Sequence, residues 1–266
     1  MTSMKIAFVV QNAVAGAYEQ NLQSTLKFIT DAKKQGAQMV VFPEMNLTGY
    51  LTGPEIKTIC RGIDPGIIDL FSTLAHHQQI LILTGLAEKS DNAIYASHLV
   101  FHPDRQYTVY RKIHTAPFEK KYFTPGDQQV LFDCNGFRFG VQLCYDAHFP
   151  ELSLAMALQN VDIIVMPHAS PRGTPQEKCQ SWMRHLTARA FDNGVYIAAC
   201  NQTGDNLAGL NFPGLCLVIG PDGNAVYQST DPAEGIHMVQ FETAVLEHVR
   251  SHEMRYFLPH RRTDLF

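Results

Sequence analysis

Short apolar runs alternate with amphipathic segments along almost the whole chain. "KIAFVVQN" (5–12) and "AQMVVFPE" (37–44) read as buried strands, and between them residues 19–35 place Leu22, Leu26 and Ile29 at helical spacing, with Gly36 as a stop. Residues 65–78 repeat the helical pattern with Ile68, Phe71, Leu74 and Ala75 on one face, before the strand "ILILTGLAE" (80–88). "AIYASHLVFHP" and "YTVYRKI" alternate around Asp104-Arg105 as in a hairpin, and "QVLFDCNGFRFGVQLC" turns at Asn135-Gly136. A helix near 151–159, the strand "VDIIVMP", and a helix over 175–192 carrying Trp182, Leu186 and Ala190 follow. "VYIAACNQ", "GLCLVIG", "AVYQS" and "GIHMVQF" read as strands, with Pro-Asp-Gly (221–223) as a turn and a helix near 243–250 before the tail. No internal repeat, low-complexity stretch or separating linker interrupts this order, so residues 1–266 are expected to form one α/β domain of layered sheets.

Composition narrows the partners. The 266 residues are 45% hydrophobic and 17% charged, with a net charge of -4, and a pI near 6.3. Nothing in that balance offers a basic footprint for nucleic acid or for a membrane surface. The apolar run Ile6–Val10 is too short for a signal-peptide core, and no run approaches the ~18 residues a membrane helix needs. The six cysteines form no CxxC pair, and "YIAACNQ" and "GLCLVIG" place two in apolar surroundings, which points to reduced thiols and a cytoplasmic setting. No phosphate-binding glycine loop, GxSxG elbow or complete metal-ligand set is evident, so neither cofactor nor metal is expected.

Three strand ends carry reactive side chains: Glu44 in "VVFPEMNLTGY", Lys112 in "VYRKIHTAPFEKKYFTPGD" and Cys144 in "GVQLCYDAHFPE". Ligands of open α/β sheets collect at such ends. A carboxylate can take the thiol proton, and an ammonium can stabilise a thiolate or an oxyanion. The carboxylate can then activate water against a thioester. Alone, each residue has a bland reading: a packed thiol, a cap, a solvated charge.

Together the blocks resemble the nitrilase superfamily, the carbon–nitrogen hydrolases with a Glu-Lys-Cys triad. "FPE", "RK.H" and "LCYD..FPE" occur in that family's order, with "TGY", "KKYFTPG", "DIIVMP", "W...L.ARAFDN" and "AACNQ.G" around them, from about residue 4 to residue 241. The resemblance implies a four-layer α-β-β-α sandwich paired back to back as a homodimer or higher homo-oligomer, with residues 243–266 at the subunit interface. It implies Glu44 as general base, Lys112 as oxyanion-stabilising cation and Cys144 as nucleophile in a tight elbow. The Tyr145 backbone N–H would complete the oxyanion hole, and Glu119 would help to position substrate. The loop from Lys112 to Glu119 is shorter than in many relatives. "MPHASPRGTP" (166–175) is expected to line the pocket with His168 and Ala169, His168 standing where many relatives have a small or hydroxyl residue. Tyr50 is either pocket wall or loop anchor.

"CYD" rather than Cys-Trp-Glu points to the amidase-like branches, hence to a small linear amide giving a carboxylic acid and ammonia. An N-carbamoyl substrate is the alternative. A true nitrilase, an acyltransferase and a non-catalytic binding subunit are further readings.

Overall fold

The computed structural model describes residues 2–265. The first half of the chain runs β1 (Ser3–Val10), α1 (Tyr18–Lys34), β2 (Met39–Val41), α2 (Ile56–Ile59), α3 (Pro65–Gln78), β3 (Leu81–Ser90), β4 (Ala93–Phe101) and β5 (Tyr107–Arg111). The second half begins with β6 (Leu131–Cys134), β7 (Phe137–Val141), α4 (Pro150–Ala157), β8 (Ile163–His168), α5 (Pro175–Asn193) and β9 (Tyr196–Asn201). A short hairpin, β10 (Gly204–Asp205) and β11 (Asn211–Phe212), precedes β12 (Cys216–Ile219), β13 (Ala225–Ser229), β14 (Gly235–Glu242) and α6 (Thr243–Arg250).

Two six-stranded sheets result, ordered β14-β1-β2-β3-β4-β5 and β13-β12-β9-β8-β7-β6. Each has a parallel centre, β1-β2-β3 in one and β7-β8-β9 in the other, with antiparallel strands outside. Because side chains alternate along a strand, each sheet buries two faces. Ile6, Phe8 and Val41 meet Phe139, Val165 and Ala198 between the sheets. Ala7, Val9 and Val40 face α1 and α3, and Ile164, Met166 and Ile197 face α4 and α5. The architecture is therefore the expected α-β-β-α sandwich, and burial on both faces explains why the central strands read as unbroken apolar runs.

The helices end where their sequences direct. The Asp64 carboxylate accepts from the Ile67 N–H at the start of α3. Thr174 and Glu177 cap α5 reciprocally, and Gly194 ends it in a left-handed conformation. In the tail, Phe257 meets Phe191 of α5 at 5.4 Å between ring centroids, and Leu258 packs on the α4–α5 layer of its own chain. No helix among the described residues is long and apolar enough to cross a membrane.

Candidate active site

Glu44 follows β2 and is buried, held by a polar layer whose members come from distant segments. Asn46 accepts from the Thr84 hydroxyl at 2.9 Å and the Gly85 N–H at 2.8 Å. It donates to Gln11 and Thr25. Gln202, just beyond β9, donates to the Glu44 carbonyl at 2.7 Å. The chain turns sharply here: Met45 is left-handed at φ 53, and Gly49 lets the loop pass Ala15 so closely that a Cβ would sit 2.6 Å from its Cα. A buried, hydrogen-bonded loop of this kind holds a side chain without local mobility.

Lys112 follows β5 and is also buried. Its ammonium donates to Glu44 Oε1 at 2.8 Å and to Glu119 Oε1 at 2.9 Å, leaving one of its three donors without a partner among the described residues. Glu119 returns to Lys112 because a turn bends the intervening loop: its Oε2 accepts from the Ala116 N–H at 2.7 Å. Tyr50 also donates to Glu119 Oε1, at 2.7 Å, so the same phenol that anchors its loop bears on the site. Burial and the neighbouring carboxylates hold Tyr50 well above its ordinary pKa, as a neutral donor.

Cys144 lies just past β7. Leu143 is still extended, and Cys144 then turns left-handed at φ 41 into the 3-10 turn Cys144–His148. A non-glycine residue in this region is strained by about 1–2 kcal/mol. Asp146 pins the elbow from inside. Its Oδ2 accepts from the Leu143 N–H at 2.9 Å and the Tyr110 hydroxyl at 2.6 Å. Its Oδ1 accepts from the His114 N–H at 2.7 Å, and the His114 ring stacks on Phe149 at 3.8 Å. From α5, Arg189 donates to the Ala147 and His148 carbonyls. Asp146→Asn is expected to lower kcat about 10²-fold while the fold survives, because a small misplacement of a reacting atom is costly. A steady-state kcat beside a thermal melt of the variant measures both effects.

The loop after β8 closes the arrangement. The Ala169 N–H donates to Glu44 Oε2 at 3.0 Å and also faces the Cys144 sulfur. His168 Nδ1 sits 2.6 Å from the Met166 carbonyl, and its ring lies 4.1 Å from the Trp182 ring. Burial depresses the His168 pKa well below the ordinary histidine value, so the ring is neutral. The Tyr145 ring packs against Phe149 and His148.

Charge in this pocket is unevenly balanced. Burial pushes the Glu44 carboxyl up to about 7, although Lys112 beside it works in the opposite sense. Burial opposes the Lys112 charge, but Glu44 and Glu119 outweigh it and raise its pKa. The Cys144 thiol is raised by burial and then by Glu44. Two carboxylates against one ammonium therefore favour a protonated thiol at rest. The pocket can supply a base, a hydrogen-bond donor and a nucleophile within one buried cluster.

The carbon–nitrogen hydrolase family profile matches residues 5–251. The chain belongs to the carbon–nitrogen hydrolase family. A nitrilase of Pyrococcus abyssi is 30% identical over 273 residues, covering 99% of both chains. An omega-amidase of Arabidopsis thaliana is 27% identical, covering 96% of this chain and 72% of the relative. Among solved structures, a carbon–nitrogen hydrolase of Helicobacter pylori superposes with a TM-score of 0.87 at 26% identity, over 100% of this chain and 97% of the other. This carbon–nitrogen hydrolase thus brings the sequence-predicted Glu44, Lys112 and Glu119 into direct hydrogen-bonded contact, with Cys144 and Ala169 beside them. Sequence reasoning missed Asp146, Asn46 and Gln202; the tripeptide "CYD" contained the only local signal for the first.

Proposed function

We propose that this enzyme hydrolyses a small primary amide through a thioester on Cys144, using Glu44 as the base. The observation that supports the proposal is the buried cluster in which the Lys112 ammonium holds Glu44 and Glu119 at 2.8 and 2.9 Å, with both carboxylates near enough to act on the Cys144 thiol. In the first step Glu44 takes the Sγ proton as sulfur bonds to the amide carbon. The resulting oxyanion accepts from the free Lys112 donor and the Tyr145 backbone N–H. When the C–N bond breaks, Glu44 returns the proton to the leaving nitrogen and ammonia departs. A water molecule then gives its proton to Glu44 and attacks the thioester, and sulfur leaves and is reprotonated as the acid is released. Glu119 holds Lys112 in place and offers its carboxylate to the substrate amide.

Product analysis and pH dependence test this. Ammonia and carboxylic acid should form in equal amounts from a simple amide, and hydroxylamine should divert the acyl group to a hydroxamate. Amine and carbon dioxide from a carbamoyl amine, with no acid from any amide, would replace the reading by N-carbamoyl hydrolysis. The pH profile separates general-base attack from a preformed thiolate. Glu44 must be ionised to act, so kcat/KM is expected to rise with pH on an acid limb near 7. Alkylation of Cys144 by iodoacetamide should stay slow at pH 6 and still be accelerating above pH 8, because the thiol is raised. Fast alkylation at pH 6 would indicate a resting thiolate instead.

A further inference from the structure

We propose that His98 is a positioning residue for the base: its Nδ1 takes the Met45 N–H when substrate fills the site, and so fixes the peptide that aims Glu44. This rests on the amide-hydrolase reading above. His98 lies in β4 between Ala96 and Val100, which both face the layer between the sheets, and alternation puts its ring on the same face. It is fully buried, and neither ring nitrogen has a hydrogen-bond partner among the described residues. Its cross-strand neighbours are Gly85 on β3 and Tyr110 on β5, and Tyr110 carries the hydroxyl that holds Asp146 at the elbow. Burial lowers the His98 pKa to about 3. The ring is therefore neutral wherever Glu44 titrates, with one nitrogen an acceptor and the other a donor.

The contact with the Glu44 loop is defined at Gly85. A Cβ on that residue would sit 2.6 Å from His98 Nδ1 and 2.9 Å from the Met45 nitrogen. The two nitrogens thus flank one small space, which exists because residue 85 has no side chain. The Met45 N–H belongs to the same peptide as the Glu44 carbonyl, and Gln202 already holds that carbonyl at 2.7 Å. Met45 itself is left-handed at φ 53, a conformation that persists only where its surroundings over-determine it. Gln202, beyond β9 of the second sheet, fixes one side of the peptide, and His98 of the first sheet offers the acceptor on the other. With Nδ1 bare and the proton on Nε2, the ring attracts the Met45 N–H. The opposite tautomer would set two N–H groups against each other. Hydrogen bonds of a reacting site are often long before substrate binds and tighten in its complex. A histidine that merely filled the core would be inferior to an apolar side chain of its size, because buried polar atoms without partners are costly.

Asparagine and leucine share one branched shape, and only asparagine places an acceptor near the position of Nδ1. His98→Leu is expected to lower kcat on butyramide at least about tenfold with little change in KM, as a small displacement of a reacting group does. Its melting temperature should equal or exceed that of wild type, because two unpartnered polar atoms are gone. His98→Asn should keep most of kcat. Parallel loss of activity and stability in His98→Leu, or equal loss of kcat in both variants, would overturn the proposal and leave His98 as core packing. Alkylation of Cys144 by iodoacetamide requires no turnover, and it should be slowed in His98→Leu but not in His98→Asn. That split without turnover of any amide would uphold the positioning role and remove the amide reading, whereas turnover without the split would remove the positioning role. Nitrogen NMR of histidine-labelled wild type covers the case in which the variants fold poorly. The His98 Nδ1 resonance should be that of an unprotonated nitrogen and should shift once iodoacetamide has placed its carboxamide in the site. A protonated Nδ1, or a resonance indifferent to alkylation, would overturn the proposal.

Discussion

Cys144→Ala is expected to lower kcat by at least about 10⁴-fold, the scale on which deleting a nucleophile acts, because the proposed acyl intermediate forms on its sulfur. The melting temperature should change little. Alanine fits the space of a half-buried thiol and inherits the same left-handed backbone at φ 41. Cys144→Gly should be equally inactive but more stable than Cys144→Ala by about 0.5–1 kcal/mol, since glycine occupies this region without steric penalty. If glycine stabilises and alanine does not, the elbow stores strain that the fold tolerates for the sake of the sulfur's position. Retained turnover in both variants would remove Cys144 from the mechanism. Electrospray mass spectra of wild type mixed with amide and quenched in acid give the complementary result, an acyl adduct absent from both variants.

Much of this site was legible because its reactive residues lie at strand ends within short local blocks. Glu44 follows "VVFP", Lys112 follows "VYR" and Cys144 follows "GVQL", and a buried strand announces itself by an unbroken apolar run. The supports were less legible, because they are pairings across long stretches of chain. Asp146 is legible as an elbow pin only once Tyr110, 36 residues away, and His114 are seen against it. Gln11, Thr25 and Asn46 sit in a strand end, a helix and a loop, and no periodicity links them. Strands β10 and β11 are two residues each, too short for alternation to register.

The order of layers also explains why the candidate site draws on both sheets. Glu44 and Lys112 end strands of the first sheet, and Cys144 and Ala169 follow strands of the second. The site therefore exists only when the two inner faces are packed, and the core cluster between them fixes its geometry. Loss of inter-sheet packing should be felt at the site before either sheet unfolds.

Lys112→Met should cost both function and fold. It removes the donor proposed for the oxyanion, worth about 10²–10³ in kcat for a single such donor, and it also releases Glu44 from its partner. Structurally it leaves Glu44 and Glu119 buried with no cation between them, a loss of about 3–5 kcal/mol. The pH dependence follows from the sign of the shift. Glu44 is already held above its ordinary value, up to about 7, and without Lys112 the shift grows in the same direction. The folded state then binds more protons than the unfolded one between the unfolded and folded pKa values, so stability falls as pH rises through that window. The destabilisation measured by urea unfolding should accordingly be larger at pH 8 than at pH 5. Adding Glu119→Gln to Lys112→Met removes one of the two stranded charges. The double variant should regain part of the stability at pH 8 and none of the activity, a non-additivity expected of groups that share one contact. A destabilisation that is independent of pH and unaffected by Glu119→Gln would mean that Lys112 contributes packing alone. Recovery of turnover in the double variant would mean that the ammonium has no part in the chemistry.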